Sequence, residues 1–466
     1  VAIFIILFDI YWLLKTVYLS LHLRYSFSKM RRYLKIDWLE KVREINGWQD
    51  VYHLVVLPMY REPYGVVKES FDSLRQMNYP KEKFIVVLGA EERGGEEARE
   101  VLQKIEAEFK GEFGAFMTTV HPADLPGEIP GKGSHETFAV KEAKRLVIDP
   151  KGINYENILV SVFDVDTQVP PDYFGRLTYC FLTAEHPQRS SYQPVPLFHN
   201  NIFEAPALAR VVALSATFWH MMQQARPERL RTFSSHSMPF KALIEIGFWE
   251  TDLVSEDSRI FWQCYFHYNG DWRTVPLFYP VSMDANVAPT FWRTMGNIYR
   301  QQRRWGWGVE NIPYTLHGFV KNKLIPLKTK LRWSFNETEG FHSWATNSLL
   351  IFALGWLPLF IGGEIFNETV LSFSLPKITR TIMTLAMVGI ASSAVLSVIL
   401  LPPKPVWFRW YHNFLYIIQW LLMPVTLIIF GALPALEAQT RLMLGGRFRL
   451  DYWFTPKHRR KPVARN

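Results

Sequence analysis

The sequence predicts an α/β domain with a doubly wound, mostly parallel sheet, flanked by transmembrane helices. Three observations lead there. Short runs rich in Val and Ile alternate with amphipathic stretches between about residues 51 and 163. The last run, 158–163 (ILVSVF), is apolar at five of six positions and reads as a strand buried on both faces. Hydrophobicity is also unevenly placed. Residues 1–23 are nearly all apolar, 343–435 hold three further apolar blocks, and 24–340 have the mixed pattern of a water-exposed domain.

In chain order, residues 51–57 (VYHLVVL) form the first strand, ended by Pro58. A helix follows with apolar positions Val66, Val67, Phe71, Leu74 and Met77, and Asn78-Tyr79-Pro80 closes it. Residues 84–88 (FIVVL) are the second strand, running into Gly89-Ala90-Glu91-Glu92. A charged helix covers about 95–110, and 116–120 read as a third strand. Gly131-Lys132-Gly133-Ser134 opens a helix to about residue 146, before the fourth strand at 158–163. Continued strand alternation turns Asp164 and Asp166 to one face, and Pro170-Pro171 stops the run. Further on, Ser255-Glu256-Asp257 starts an aromatic helix to about residue 267, and 299–308 (YRQQRRWGWG) read as a basic aromatic helix.

The 466 residues suffice for two or three domains and a large core. A composition 48% hydrophobic and 15% aromatic, with 17 Trp, is that of a membrane protein. Much of the formal charge of +9 flanks the apolar blocks, at Arg24, Lys29, Arg31, Arg32 and Lys35 and again at 457–461. Such clusters mark the cytoplasmic membrane face rather than a nucleic-acid surface. Cys180 and Cys264 form neither a disulfide framework nor a metal-ligand spacing and read as core residues. Residues 1–23 lack a small-residue cleavage site and are followed by positive charge, so an anchor is preferred to a signal peptide. The beginning at Val1 rather than Met leaves room for a missing start and a further span.

Ligands of open α/β sheets bind beyond the carboxyl ends of the strands, where Glu62, Glu91, Glu92, Asp164 and Asp166 all fall. Two close carboxylates repel unless a cation lies between them, and an all-oxygen site suits Mg2+ or Mn2+; the alternative is a strand ending in a polar turn. No G-x-G-x-x-G or G-x-x-x-x-G-K-[ST] accompanies these positions, which weakens dinucleotide and P-loop readings and favours a nucleotide-sugar on paired aspartates. Ser255-Glu256-Asp257 is either a capped helix start or a carboxylate kept ionised as a general base. Gln301 and Arg304 share a helix face with Trp305 adjacent, which suits either a membrane-surface helix or an Arg facing a leaving diphosphate.

In this order, Asp-x-Asp at 164–166, Ser-Glu-Asp at 255–257 and Gln-x-x-Arg-Trp at 301–305, set between apolar blocks, resemble a membrane-embedded family 2 glycosyltransferase with the GT-A fold, similar to cellulose and hyaluronan synthases. The resemblance covers about residues 50–310 well and the flanks loosely. It implies that Glu62, in Pro58-Met59-Tyr60-Arg61-Glu62, lies near the nucleoside, that Asp164 and Asp166 hold the diphosphate and its metal, and that Asp257 is the base, with Glu256 beside the acceptor. Gln301 and Arg304 would bind the diphosphate, Trp305 the acceptor sugar, and Lys132 would reach toward the donor. Residues 452–457 (YWFTPK) resemble the Phe-x-Val-Thr-x-Lys gating loop, with Phe changed to Tyr and Val to Phe, so that Thr455 and Lys457 would close over bound donor. The family's second strand ends in an Asp that binds the base; Glu91-Glu92 stands there instead, which leaves base and sugar open. The implied reaction is inverting displacement, with the metal, Arg304 and Lys132 stabilising the departing diphosphate.

The expected organisation is an anchor at 1–23, a basic linker at 24–50, a cytoplasmic catalytic domain at 51–310, an interface segment at 311–342, a membrane region at 343–435, and an amphipathic helix, gating-like motif and basic tail at 436–466. Blocks 344–366, 382–401 and about 414–433 are each long enough to span a plasma (inner) membrane. Three crossings would put the basic tail outside, against the positive-inside rule. Either one block lies in the interface, with 344–366 suspect for Gly355, Trp356 and Pro358, or the block broken by Pro424 and Pro434 re-enters, with 435–447 along the cytoplasmic surface.

The leading expectation is a multi-pass polysaccharide synthase that takes a nucleotide-sugar donor and a growing glycan and lies in membrane lipid. Few spans for an export channel favour the alternative, single transfer to a lipid-linked acceptor, unless a missing start or a partner subunit completes a channel. A catalytically silent membrane subunit is the reading from a different class. Nucleic acid is not an expected partner.

Overall fold

The computed structural model describes residues 2–354, 357–450 and 453–459. Seven strands form one mixed sheet: β1 (Tyr52–Met59), β2 (Phe84–Glu91), β3 (Ala115–His121), β4 (Ile158–Val162), β5 (Ser190–Phe198), β6 (Ser237–Pro239) and β7 (Arg273–Met283), in the order β3-β2-β1-β4-β6-β5-β7. β1 pairs in parallel with β2 and β4, and β2 with β3. The short β6 is antiparallel to β4 and β5, and β5 is parallel to β7.

The first four strands form because their apolar runs serve two cores at once. Along β1, Leu54 and Val56 pack with Ile85, Val87, Val160 and Val162, while Val55 and Leu57 pack on the other face with Val86, Leu88 and Leu159. Burying each such side chain contributes about 1.5–3 kcal/mol. β5 and β7 escape the sequence pattern because each carries two prolines, Pro194 and Pro196 against Pro276 and Pro280. Their ladder steps out of register between Gln193 and Val195, a bulge that accommodates residues without a backbone donor.

The major helices are α1 (Ala2–Tyr33), α2 (Tyr64–Arg75), α3 (Gly95–Phe109), α4 (Lys132–Ala143), α5 (Tyr173–Thr183), α6 (Ala207–Gln224), α7 (Glu256–His267), α8 (Phe291–Gly306), α9 (Asn311–Lys321), α10 (Leu327–Leu354), α11 (Val370–Ile399) and α12 (Leu433–Leu444). The 95–110 and 131–146 helices fall where the sequence places them, as α3 and α4. One close approach shapes the site. A Cβ on Gly133 would lie 2.8 Å from the Glu250 carbonyl oxygen and 3.1 Å from Glu256 Cβ, so only glycine lets the start of α4 meet the start of α7.

Among the described residues, two helices are long and apolar enough to cross a membrane, Ala2–Tyr33 and the rod Trp410–Leu444. The 382–401 block lies mostly in α11, which packs on α1. Within the 344–366 block, the short helices Leu357–Ile361 and Gly363–Asn367 are separated by a break where Gly363 takes φ +69°. Gly355 and Trp356 lie outside the described residues. The rod passes through Pro424 and Pro434 by 3-10 and π turns, and its last part, α12, packs on α8.

Candidate active site

Strand β4 stops at Val162, before the aspartates, so alternation along a strand is not what orients them. Asp164 and Asp166 sit in a tight turn in which Thr167 N–H donates to the Asp164 carbonyl at 2.8 Å. Each carboxylate has its own cation. Lys132 Nζ lies 3.0 Å from Asp164 Oδ1, and Ser234 Oγ donates to Asp164 Oδ2 at 2.9 Å. Lys457 Nζ donates to Asp166 Oδ2 at 2.6 Å, and Asp284 N–H donates to the same oxygen at 2.8 Å. Asp166 is fully buried, and its Oδ1 has no hydrogen-bond partner.

Lys132, the first residue of α4, is the centre of the cluster. Besides Asp164 it reaches Asp257 Oδ1 at 3.0 Å and Glu136 Oε1, one helical turn on, at 3.2 Å. Burial works against its charge, but Asp164, Asp257 and Glu136 outweigh it and push the ammonium well above its ordinary range. Burial likewise opposes ionisation of Asp164, yet Lys132 and Lys457 bring its carboxyl down to about 2. Burial holds Glu136 far above the usual carboxylate range, with Lys132 opposing and Asp257 adding to the shift.

Asp257 is the second residue of α7, close to the helix N-terminus. Ser255 does not cap that helix with its side chain: its hydroxyl donates to Glu310 Oε1 at 2.6 Å instead. Glu256 is buried, and burial followed by the charge of Asp257 pushes it up to about 8, against the pull of Lys132 and Arg304. His236, fully buried 3.9 Å from Asp257, is lowered to about 4 by burial and is neutral at pH 7.

The basic helix 299–308 is α8 with the turn that follows, and it packs on α12 instead of lying free on a surface. Arg303 Nη1 donates to Glu437 at 2.6 Å and Tyr299 Oη at 2.9 Å. Gln301 Oε1 accepts from Asn286 Nδ2 at 3.4 Å, and the Trp305 ring lies 6.1 Å from Phe198. Arg304 is close enough to act on the Glu256 carboxyl.

The segment 453–459 crosses the same site, while Tyr452 of the gating-like motif lies outside the described residues. Phe454 meets the Tyr60 ring at 5.2 Å, and the buried Thr455 hydroxyl has no hydrogen-bond partner. Burial opposes the charge of Lys457, but Asp166, Asp284 and Asp164 raise it. Arg459 clamps Asp284 through Nη2 at 2.6 Å and Nε at 3.2 Å.

Glu62 is buried after β1, where it accepts from Tyr60 N–H at 2.8 Å, and burial pushes it up to about 7. Glu91 and Glu92 stand apart from the cluster. Glu91 pairs with Arg93, and the exposed Glu92 accepts from Ala123 N–H at 3.0 Å. Neither has an ion pair or hydrogen bond to the aspartates among the described residues.

Sequence reasoning missed Asp284, Glu136, Ser234 and His236. Asp284 follows an apolar strand end much as Asp164 does, a usable signal hidden by the prolines of β7. Glu136 stands at i+4 from Lys132, also legible in principle.

Asp166 offers one buried carboxylate oxygen without a hydrogen-bond partner, the kind of donor Mg2+ or Mn2+ takes, while its other oxygen holds Lys457. Among the described residues, Glu136, Glu256 and Asp257 bring ligand atoms within 4.8 Å of one another, with Lys132 Nζ beside them as Lys457 is beside Asp166.

No family model and no curated protein matches the chain. Among solved structures it is similar to a mannosyltransferase, PcManGT from Pyrobaculum calidifontis in complex with GDP-Man and Mn2+, at 16% identity over 82% of this chain and 98% of that one, with a TM-score of 0.46. It is also similar to S. aureus TarS 1-349 in complex with UDP-GlcNAc, at 13% identity over 74% and 90% of the two chains, with a TM-score of 0.38. At overlaps this low, the functional reading rests on the chain's own residues.

Proposed function

We propose that the chain is a membrane glycosyltransferase that moves a sugar from a nucleotide-sugar to a growing glycan by inverting displacement. One observation carries this reading: Lys132 joins Asp164, at the end of β4, to Asp257, at the start of α7, beyond the carboxyl edge of the parallel strands. Lys132 thereby ties the 164–166 and 255–257 motifs, far apart in sequence, together. In the reaction Asp257 accepts the proton of the attacking acceptor hydroxyl, and Lys132 compensates its charge before the donor enters. Glu256, raised to about 8, holds its proton at neutral pH and donates it in a hydrogen bond to the acceptor sugar. Arg304 presents a permanent charge to the departing diphosphate. Thr455 and Lys457 lie across the donor side, where the unpartnered Thr455 hydroxyl is free to bind a phosphate oxygen. Glu62 lies near the nucleoside, Gln301 binds the diphosphate and Trp305 the acceptor sugar, with Glu91 and Glu92 left to the base. Mg2+ or Mn2+, held by Asp164 and Asp166 with Asp284 adjacent, supplies charge neutralisation on the diphosphate when bound.

The test is nucleoside diphosphate release from a panel of nucleotide-sugars by detergent-purified protein with Mg2+ or Mn2+. Release from one donor should fall by about 10²-fold or more in both Asp164→Ala and Asp257→Ala. Folded protein that neither binds nor cleaves any donor would overturn the reading in favour of a silent subunit. Sizing the product separates a polymer from single transfer to a lipid-linked acceptor.

A further inference from the structure

Helices α9 and α10 carry a face that nothing in the described molecule covers. Between Glu310 and Glu337 the chain has no carboxylate residue, but it has Lys321, Lys323, Lys328, Lys330, Arg332 and His317. Four times an exposed apolar residue is followed directly by a basic one: Leu316-His317, Val320-Lys321, Leu327-Lys328 and Leu331-Arg332. Val320 is 80% and Leu324 73% exposed, and on α10 the exposed Leu327, Leu331 and Phe335 stand four apart in one stripe.

The face is held rigidly. On the inner side of α10, Trp333 is buried with its ring 5.6 Å from Phe261 and 5.2 Å from Trp262. Lys330 is turned inward and donates to the Asn322 carbonyl at 2.5 Å. Among the described residues, no carboxylate lies within ion-pairing distance of Lys321, Lys323, Lys328 or Arg332. A cleft of about 510 Å³ opens beside them, between Phe266 and Leu324, with Tyr314, His317, Lys321 and Lys323 on its walls.

We propose that this face docks on an anionic phospholipid surface, with a lipid phosphate seated in the cleft beside Lys321 and Lys323 and the apolar stripes entering the acyl boundary. Unpaired cations need an anionic partner. Apolar side chains set at the same level as those cations need a partner that is apolar just behind its charge, and a bilayer interface has that layering. An acidic protein would pair the charges but has no apolar layer behind them to receive the exposed Val320, Leu324, Leu327 and Leu331. Each cation near such a surface raises partitioning roughly fivefold. The proposal is independent of the reaction assigned to the active site.

The full chain carrying a fluorescent label at Val320→Cys, in nanodiscs of phosphatidylcholine alone or with about one-third phosphatidylglycerol, reads the docking directly. Spin-labelled lipid should quench the label at least twofold more in the anionic discs. About 0.5 M salt should remove that difference. So should the combined variant Lys321→Gln, Lys323→Gln, Lys328→Gln, Arg332→Gln. The salt arm keeps the native cations, so a variant that misfolds leaves the test decisive. A label quenched by aqueous iodide equally in both discs would overturn the proposal. Full reversal by millimolar inorganic phosphate, at an ionic strength where chloride has no effect, would overturn it in favour of a soluble phosphate ligand.

Discussion

The site contains two cation–carboxylate knots of opposite construction. In one, Lys132 is built into the first turn of α4 and tied to Asp164, Asp257 and Glu136, all of them on the sheet domain. In the other, Lys457 comes from 291 residues beyond Asp166 and Arg459 from 175 residues beyond Asp284, and they reach these carboxylates from outside. The first is part of the fold. The second is a strap laid over it, with Trp453 under Arg300, Phe454 against Tyr60, Lys457 on Asp166 and Arg459 on Asp284 and Glu69. A site in which one aspartate of the pair is neutralised permanently and the other removably can exchange its second cation without unfolding the first.

The sharpest way to break the comparison is Lys132→Met. It removes the buried ammonium that Asp164, Asp257 and Glu136 share; the two aspartates are partly exposed, so the loss should fall at the lower end of the about 3–5 kcal/mol that breaking a buried pair costs. Thermal unfolding should show the loss, and adding Asp257→Asn should recover part of it, because the two substitutions share one ion pair. An unchanged melting temperature would mean that water already reaches the knot.

Gly133→Ala comes next. The added methyl meets the Glu250 carbonyl oxygen at 2.8 Å, backbone that cannot swing aside, so α4 and α7 must separate. Overpacking of this kind costs about 1–3 kcal/mol. Because it parts Lys132 from Asp257, donor turnover should fall further than stability alone accounts for. Equal stability and turnover would show that the close approach is not needed.

These two residues also mark how far the sequence could be read. Strands β1 to β4 were legible because a run buried on both faces needs unbroken apolar residues, and the aspartates stood out as the first charges after such a run. β5 and β7 were not, because prolines at 194, 196, 276 and 280 mimic loop composition, and with them went Asp284. The Asp-x-Asp pair was found for a reason that does not hold: its members lie in a turn and take different cations. Lys132 was singled out by resemblance alone. Its contact with Asp257, 125 residues later, depends on Gly133, whose meaning appears only when two helix starts meet in space. Ser255 looked like a cap because the type is right, but no local pattern foretells the competing Glu310 carboxylate.

The pH dependence of stability tests the inner knot separately. Glu256 has a folded value of about 8 against an ordinary 4.5, raised by burial and then by Asp257. Between those values the folded chain keeps a proton that the unfolded chain has released. Stability therefore falls as pH rises from about 4.5 to about 8 and levels off above, with a slope of at most about 1.4 kcal/mol per pH unit. Glu62, raised to about 7, contributes with the same sign, so the informative quantity is the difference between parent and Glu256→Gln. Urea unfolding across pH 5–9 should give a shallower slope for the variant; identical slopes would mean that Glu256 ionises freely in the fold.

The smallest stability change should come from Lys457→Met. Although Lys457 pairs with a buried aspartate, the segment that carries it has no helix or strand of its own within 453–459. Once the ammonium is gone, Asp166 keeps the Asp284 N–H, and the segment can lift to admit water to the other oxygen. Lifting of the segment exposes the carboxylate instead of leaving it stranded, so the melting temperature should correspond to a loss below the about 3–5 kcal/mol of a buried pair whose cover stays in place. What should change is local: protease cleavage near 453–459 should speed up while the rest of the chain stays protected. A stability loss as large as that of Lys132→Met would show that the strap is a structural part of the core and that the two knots are built alike.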